Sequence, residues 1–142
     1  MALRSLDLMI GDWVECVDAT HKKKVYAKVC AIEEGQTCIL VEKDNSNWFL
    51  DISLLKPIPL EKIHLTKNGF KAREYTDDTE FYYYDCYEIN VSFDEGISEE
   101  NIPPIIFLTI EFAEKSIAMP IEYVHELQQA MRIMGCDKTI EL

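Results

Sequence analysis

The sequence predicts an α+β protein: a small SH3-like β-barrel over residues 1–58, then over residues 59–142 an antiparallel sheet with a C-terminal amphipathic helix. Three observations carry that reading. Short apolar runs separated by turn residues, with no helical period, fill the first part. An alternating aromatic segment runs from Phe81 to Phe93. A stripe of apolar residues at three- and four-residue spacing runs from Ile121 to Met134.

Trp13 to Val17, Val25 to Ile32, Thr37 to Val41 and Trp48 to Ile52 read as strands, divided by Lys22-Lys23-Lys24, Glu34-Gly35-Gln36 and Asp44-Asn45-Ser46-Asn47. Pro57 and Pro59 end the last of them, because proline cannot donate to a ladder. Leu60 to Asn68 reads as a short helix closed by Asn68-Gly69, residue types that tolerate a left-handed cap. Phe81, Tyr83, Tyr87, Ile89, Val91 and Phe93 then alternate with Tyr82, Tyr84, Cys86, Glu88, Asn90 and Ser92, so one face is expected to be apolar and the other mixed. Tyr84-Asp85-Cys86 reads as a turn or bulge dividing two strands of a hairpin. Ile105 to Phe112 is apolar on both faces, the pattern of a central strand covered on both sides. In the last helix Pro120 stands where helices begin, Glu122 in the first turn, Arg132 in the last and Gly135 just past the end. Its stripe of Ile121, Val124, Leu127, Met131 and Met134 needs a sheet to cover.

A chain of 142 residues buries roughly two-thirds of its unfolded surface, enough for one domain or two small subdomains. A hydrophobic content of 48%, with 11% aromatic residues, argues against disorder. The net charge of −12 argues against nucleic acid and anionic membranes, whose affinity comes from Lys and Arg. That charge is local. Residues 1–58 carry seven basic and nine acidic side chains, whereas 59–142 carry seven and seventeen. Twelve acids and no base fall between Glu74 and Glu114, and ten of the fifteen aromatics between Phe70 and Phe112. Met1 to Ile10 is broken by Asp7 and lacks the core of a signal peptide, and no run is long enough for a membrane span, so a cytoplasmic protein is expected. Cys16, Cys30, Cys38, Cys86 and Cys136 are odd in number and form no C-x-x-C, which fits reduced, mostly buried thiols.

Signatures of chemistry are sparse. G-x-G-x-x-G, P-loop and G-x-S-x-G patterns do not occur. His125-Glu126-Leu127-Gln128-Gln129 approaches H-E-x-x-H but offers Gln129 at the second ligand position, so His125 reads as a capping, packing or surface residue. His21 and His64 have no ligand-spaced neighbours. Asp94-Glu95-Gly96 through Glu99-Glu100-Asn101 lacks the ligand spacing of an EF-hand and reads as a solvated loop. No catalytic residue, cofactor or metal ligand is expected. The candidate partner-binding residues are Tyr82 and Tyr84 on the same side of a strand as Glu80 and Glu88, where aromatic faces and carboxylates suit a partner's Lys or Arg. Against this stands burial of that face under the 121–134 helix, which would make the tyrosines ordinary core. Trp13, Tyr26 and Trp48 either line a barrel groove or fill the barrel.

Three blocks, Leu8-Met9-Ile10-Gly11-Asp12-Trp13-Val14, then Leu55-Lys56-Pro57-Ile58-Pro59-Leu60 with Lys67-Asn68-Gly69-Phe70, then Tyr123-Val124-His125-Glu126-Leu127-Gln128 with Gly135, resemble a family of small uncharacterised proteins of Bacteroidetes and their phages or mobile elements. The resemblance implies a cytoplasmic protein of this size and brings no activity, cofactor or catalytic residue with it. The leading expectation is a non-enzymatic protein–protein interaction module with a protein partner that is basic where it meets the acidic segment. Two alternatives stand beside it: an acidic nucleic-acid mimic that inhibits a DNA-binding protein, and an enzyme without a recognisable motif.

Overall fold

A computed structural model describes residues 7–18, 23–32, 38–43, 46–73, 79–84, 88–94 and 104–142, with the backbone alone for 17, 18, 23, 38–43, 46, 48 and 49. The expected loop at 95–101, the turn at 85–87, His21, Cys86 and the first six residues lie outside the described residues. The chain divides into two units, Met1–Pro59 with Tyr123–His125, and Leu60–Glu122 with Glu126–Leu142.

In the first unit β1 (Trp13–Asp18), β2 (Lys23–Ala31), β3 (Cys38–Lys43) and β4 (Ser46–Asp51) form an antiparallel meander in sequence order. Alternation decides what each strand buries. Val14 and Cys16, then Ala27 and Val29, are nearly inaccessible, while Trp13, Glu15, Tyr26 and Lys28 between them are not. Leu8 and Leu55 complete that core, with Val25, Ile32, Leu50 and Ile52 packed against it. The Gly11-Asp12 pair anchors the start of the sheet. The buried Asp12 carboxylate accepts the Met9 N–H at 2.7 Å, and the Gly11 N–H donates to the Val29 carbonyl at 2.6 Å. After β4 a 3₁₀ turn (Ile52–Leu54) is capped by Asp51, whose side chain accepts the Ser53 N–H at 2.9 Å. The chain then returns to β1. Glu15 and Lys56 exchange both backbone hydrogen bonds, at 2.9 and 2.8 Å. The sheet itself is open, and no described strand pairing joins β4 to β1.

In the second unit α1 (Lys62–Lys67) precedes β5 (Lys71–Ala72), β6 (Thr79–Tyr84), β7 (Ile89–Asp94), β8 (Ile105–Phe112) and β9 (Lys115–Ile121), a five-stranded antiparallel sheet in sequence order. α2 (Val124–Ile133) follows. The fold is therefore α+β, and no described helix is long and apolar enough to cross a membrane. Ile89, Val91, Phe93, Ile106, Leu108 and Ile110 line one face of the sheet and are 6% exposed or less. α1 sits on that face: the Lys62 ammonium is 5.8 Å from the Phe93 ring centre, and Phe70, just after α1, meets Tyr84 at 5.3 Å. From α2, Leu127, Ala130 and Met131 are buried, as is Met134 just past its end.

Both helices stop in the same way. After α1 the Gly69 N–H donates to the Thr66 carbonyl and the Phe70 N–H to the Leu65 carbonyl; after α2 the Gly135 N–H donates to Arg132 and the Cys136 N–H to Met131. This double bond pattern requires a left-handed residue past the cap, and Gly69 (φ 84°) and Gly135 (φ 83°) supply it. Asn68 remains outside the left-handed region, at φ −102°.

Three expectations are corrected. α2 begins at Val124 rather than Pro120, because residues 115–121 pair with β8 and place Pro120 opposite Phe107. β9 is the edge of the sheet, where a missing N–H is tolerated. β8 is covered on one face only, Ile106, Leu108 and Ile110 being buried while Ile105 and Phe107 are exposed. Finally, the apolar face does not run in one phase from 81 to 93. Tyr82 pairs with Val91 and Tyr84 with Ile89, so even-numbered residues of β6 share the covered face with odd-numbered residues of β7.

Candidate functional site

The register places Glu80, Tyr82 and Tyr84 on the covered face of the second unit's sheet, and Glu88 in the turn before β7 at φ 47°. Glu88 thus does not share a strand face with the other three. Tyr82 is 7% exposed, stands edge-on to Phe93 at 5.8 Å, and donates its hydroxyl to Glu80 Oε2 at 3.2 Å. The same Oε2 receives the Lys62 ammonium at 2.9 Å. That bond outweighs the opposing effect of burial and, with help from the Tyr82 hydroxyl, holds the Glu80 carboxyl below the usual carboxylate range. Tyr84 is half-buried, with the Lys138 ammonium 5.4 Å from its ring centre. In the first unit Trp13 is half-buried with Lys28 at 4.9 Å, while the Trp48 side chain lies outside the described residues. Aromatic faces and a carboxylate therefore receive cations as their chemistry dictates, and the cations are the chain's own lysines.

His64 and His125 are both buried. The His64 Nδ1 accepts the Glu61 N–H at 3.0 Å, closing the first turn of α1. Burial pushes its pKa below the ordinary imidazole value, outweighing attraction from Glu61. His125 is buried with its ring stacked on Tyr123 at 5.8 Å. Cys16 and Cys136 are buried and Cys30 half-buried. Burial, with a contribution from Asp137, raises the Cys136 thiol pKa and so favours its protonated form. Among the described residues no three His, Cys, Asp or Glu come together to hold a metal ion.

The opposite face of the sheet is the notable surface. Cross-strand pairing aligns Phe81, Ser92, Phe107 and Pro120 in one row across β6 to β9, with Ile105 of β8 beside it opposite Asp94. Adjacent strands lie about 4.8 Å apart, so the row spans roughly 14 Å. Tyr83, Asn90, Thr109 and Ala118 form the next row, and the Arg73 guanidinium lies 4.2 Å from the Tyr83 ring centre. None of this surface was reached from the sequence, which placed Phe81 and Tyr83 on the face with Ile89 and Val91. The missed signal is turn length. An even number of residues between two antiparallel strands pairs odd positions with even ones, so the four between Tyr84 and Ile89 invert the phase.

The acids of the 74–114 stretch that are described take up several positions: Glu80 on the covered face, Asp94 and Glu111 on the open face, and Glu88 and Glu114 in turns. Compared with known proteins, the chain matches no family model, no curated sequence and no solved structure.

Proposed function

We propose that this chain is a non-enzymatic interaction protein that engages a protein partner through the open face of its five-stranded sheet. The observation that carries the reading is the apolar row on β8 and its neighbours: Ile105 is 67% and Phe107 41% exposed on a strand whose other face is closed. Each Å² of such surface left in water forgoes roughly 25 cal/mol that docking recovers. Contiguous apolar patches of this kind mark interaction surfaces on folded chains. Asp94 borders the row opposite Ile105, Glu111 lies two rows further along β8 on the same face, and the chain carries −12. A partner apolar at the centre of its surface and basic at the rim complements both features.

The proposal includes an SH3-like barrel for the first unit. It is supported by the succession of four meander strands, a 3₁₀ turn and the return of Lys56 onto β1. The cytoplasm of a Bacteroidete or of a phage-infected cell enters as the setting on the three sequence blocks alone. Nucleic-acid mimicry has less support, since the described acids of the 74–114 stretch do not share one surface.

The test compares proteins captured from a host lysate by the wild-type chain and by Ile105→Glu/Phe107→Glu, at low and at high salt. Both positions are exposed, so the double variant should keep the wild-type circular dichroism and melting temperature. A protein retained by wild type at both salts and lost with the variant is the expected result. Capture unaffected by the two substitutions, or no captured protein at either salt, overturns the proposal.

A further inference from the structure

β9 (Lys115–Ile121) is an edge of the five-stranded sheet and is paired on one side only, with β8. Which of its backbone groups face outward follows from the turn before it. Phe112 and Lys115 close a two-residue hairpin whose turn residues, Ala113 and Glu114, stand at φ 51° and 65°. The closing pair of such a hairpin exchanges both of its hydrogen bonds, and the bonded pairs then alternate along the ladder. Odd-numbered residues of β9 therefore bond to β8, while Ser116, Ala118 and Pro120 turn their backbone groups away from it. Glu122 is next in that outward series, and its carbonyl accepts the Leu60 N–H at 2.9 Å, in keeping with the same phase. Ser116, Ala118 and Pro120 have no such cover: among the described residues nothing bonds to their outward groups. Ser116 and Ala118 each present an N–H and a C=O, whereas Pro120 has no N–H to present.

Lysine and proline are residue types that guard a sheet edge against pairing. Here Lys115 and Pro120 stand at the two ends of the edge, and the residues between them are left open. That open stretch is complementary to itself. Laid antiparallel about a two-fold axis at Ile117, Ser116 of each copy stands opposite Ala118 of the other, and the two pairs exchange four N–H to C=O bonds. Ile117, half-buried in the single chain, then meets its own copy in the closely spaced, non-hydrogen-bonded position and gains apolar cover. Pro120 disfavours the register centred on Ala118, in which its ring would face a Ser116 carbonyl that needs a donor. Charge does not oppose the pairing locally: the chain carries 26 acidic residues, yet Lys115–Ile121 holds none of them and one lysine. We propose that a second copy of this chain pairs with the β9 edge, joining the two sheets into one continuous sheet. The pairing uses the edge and leaves the open face around Phe107 free, so it stands independently of the partner proposed for that face.

An interface this small is weak, so the test is sedimentation equilibrium of the full chain over roughly 10 μM to 1 mM, joined to amide hydrogen exchange at both ends of that range. The average mass should rise from that of one chain, 16.5 kDa, towards that of two. The Ser116 and Ala118 amides should exchange about tenfold or more slowly at the concentrated end, while the Ile117 and Met119 amides, bonded to β8, stay protected at both. Ala118→Pro removes one outward donor from each copy and takes no bond from β8. It should keep the wild-type circular dichroism and weaken association by about tenfold. Should that variant not fold, exchange at Ser116 and Ala118 in the wild-type chain decides alone. Phe107→Glu should associate as wild type does. The proposal is overturned by a mass of one chain throughout, by association that leaves the Ser116 and Ala118 amides unprotected, by a folded Ala118→Pro that associates as tightly as wild type, or by loss of association in Phe107→Glu.

Discussion

Asn68, at the end of α1, is 3% exposed and joins two distant parts of the second unit through three hydrogen bonds. Its Nδ2 donates to the His64 carbonyl at 2.7 Å and to the Glu141 carbonyl at 2.8 Å, and its Oδ1 accepts the Glu141 N–H at 2.7 Å. Asn68→Ala removes all three. If the chain stayed in place, each of the three groups left without its partner would cost about 1–3 kcal/mol, or roughly 3–9 kcal/mol together. The residues around Glu141 have a cheaper course, which is to peel away and hydrate. That forfeits the burial of Ile140, which is 0% exposed, at about 1.5–3 kcal/mol, and recovers chain entropy. The cheaper course sets the ceiling, so the expected loss is about 2–3 kcal/mol in a urea titration, together with faster hydrogen exchange at the Glu141 amide. Asn68→Asp is the discriminating variant. It keeps an acceptor for the Glu141 N–H but sets a second oxygen against two carbonyl oxygens, so its loss should equal or exceed that of alanine at pH 7 and shrink on acidification as the carboxyl gains a proton to donate. A loss below about 0.5 kcal/mol for Asn68→Ala, with Glu141 exchange unchanged, would refute the reasoning.

Three further outcomes follow from other positions. The β8–β9 turn holds Ala113 and Glu114 at φ 51° and 65°, a left-handed pair that suits Asn-Gly, so Ala113→Asn/Glu114→Gly should stabilise the second unit by about 1–3 kcal/mol in thermal or urea unfolding; no gain would contradict that turn geometry. His64 has a folded pKa below its ordinary 6.5, so the folded chain binds protons less readily than the unfolded one. Its contribution is complete above about pH 6.5 and is lost as pH falls through the lowered folded value. His64→Gln keeps an acceptor for the Glu61 N–H and should flatten the stability profile in that window, which a pH series of urea titrations measures. On β8, Leu108→Ala at 0% exposure should cost about 2–5 kcal/mol, whereas Ile105→Ala at 67% exposure should cost under about 0.5 kcal/mol; similar losses at both sites would mean that both faces of β8 are covered.

Elements specified within a few residues of chain were legible. All four strands of the first unit were expected, with bounds displaced by a residue or two, since each is set by its own alternation and the polar turns beside it. The stops of α1 and α2 were legible at Gly69 and Gly135 for the same local reason, although Asn68 serves as a buried clasp rather than as the left-handed residue. Pro120 misled because it is as acceptable on an edge strand as at a helix start, and only pairing with β8 separates the two. Glu80, Tyr82 and Tyr84 share one face of β6, as expected, and that face is the covered one, where the cations beside them come from the chain itself. Their partners Lys62 and Lys138 lie 18 residues before Glu80 and 54 after Tyr84, beyond the reach of any local pattern.

The sequence by itself determined the α+β class, because strand and helix periods and their stop residues are local properties of the backbone and of each side chain's solvation. It also determined the acidic character of the second half, which is arithmetic. The tertiary structure alone decided which face of each strand is buried, that β8 leaves Ile105 and Phe107 in water, and that β9 is the edge of its sheet. The reason is register: one residue of slip in any hairpin exchanges the two faces of a strand, and register is settled by turn length together with packing between residues far apart in the chain.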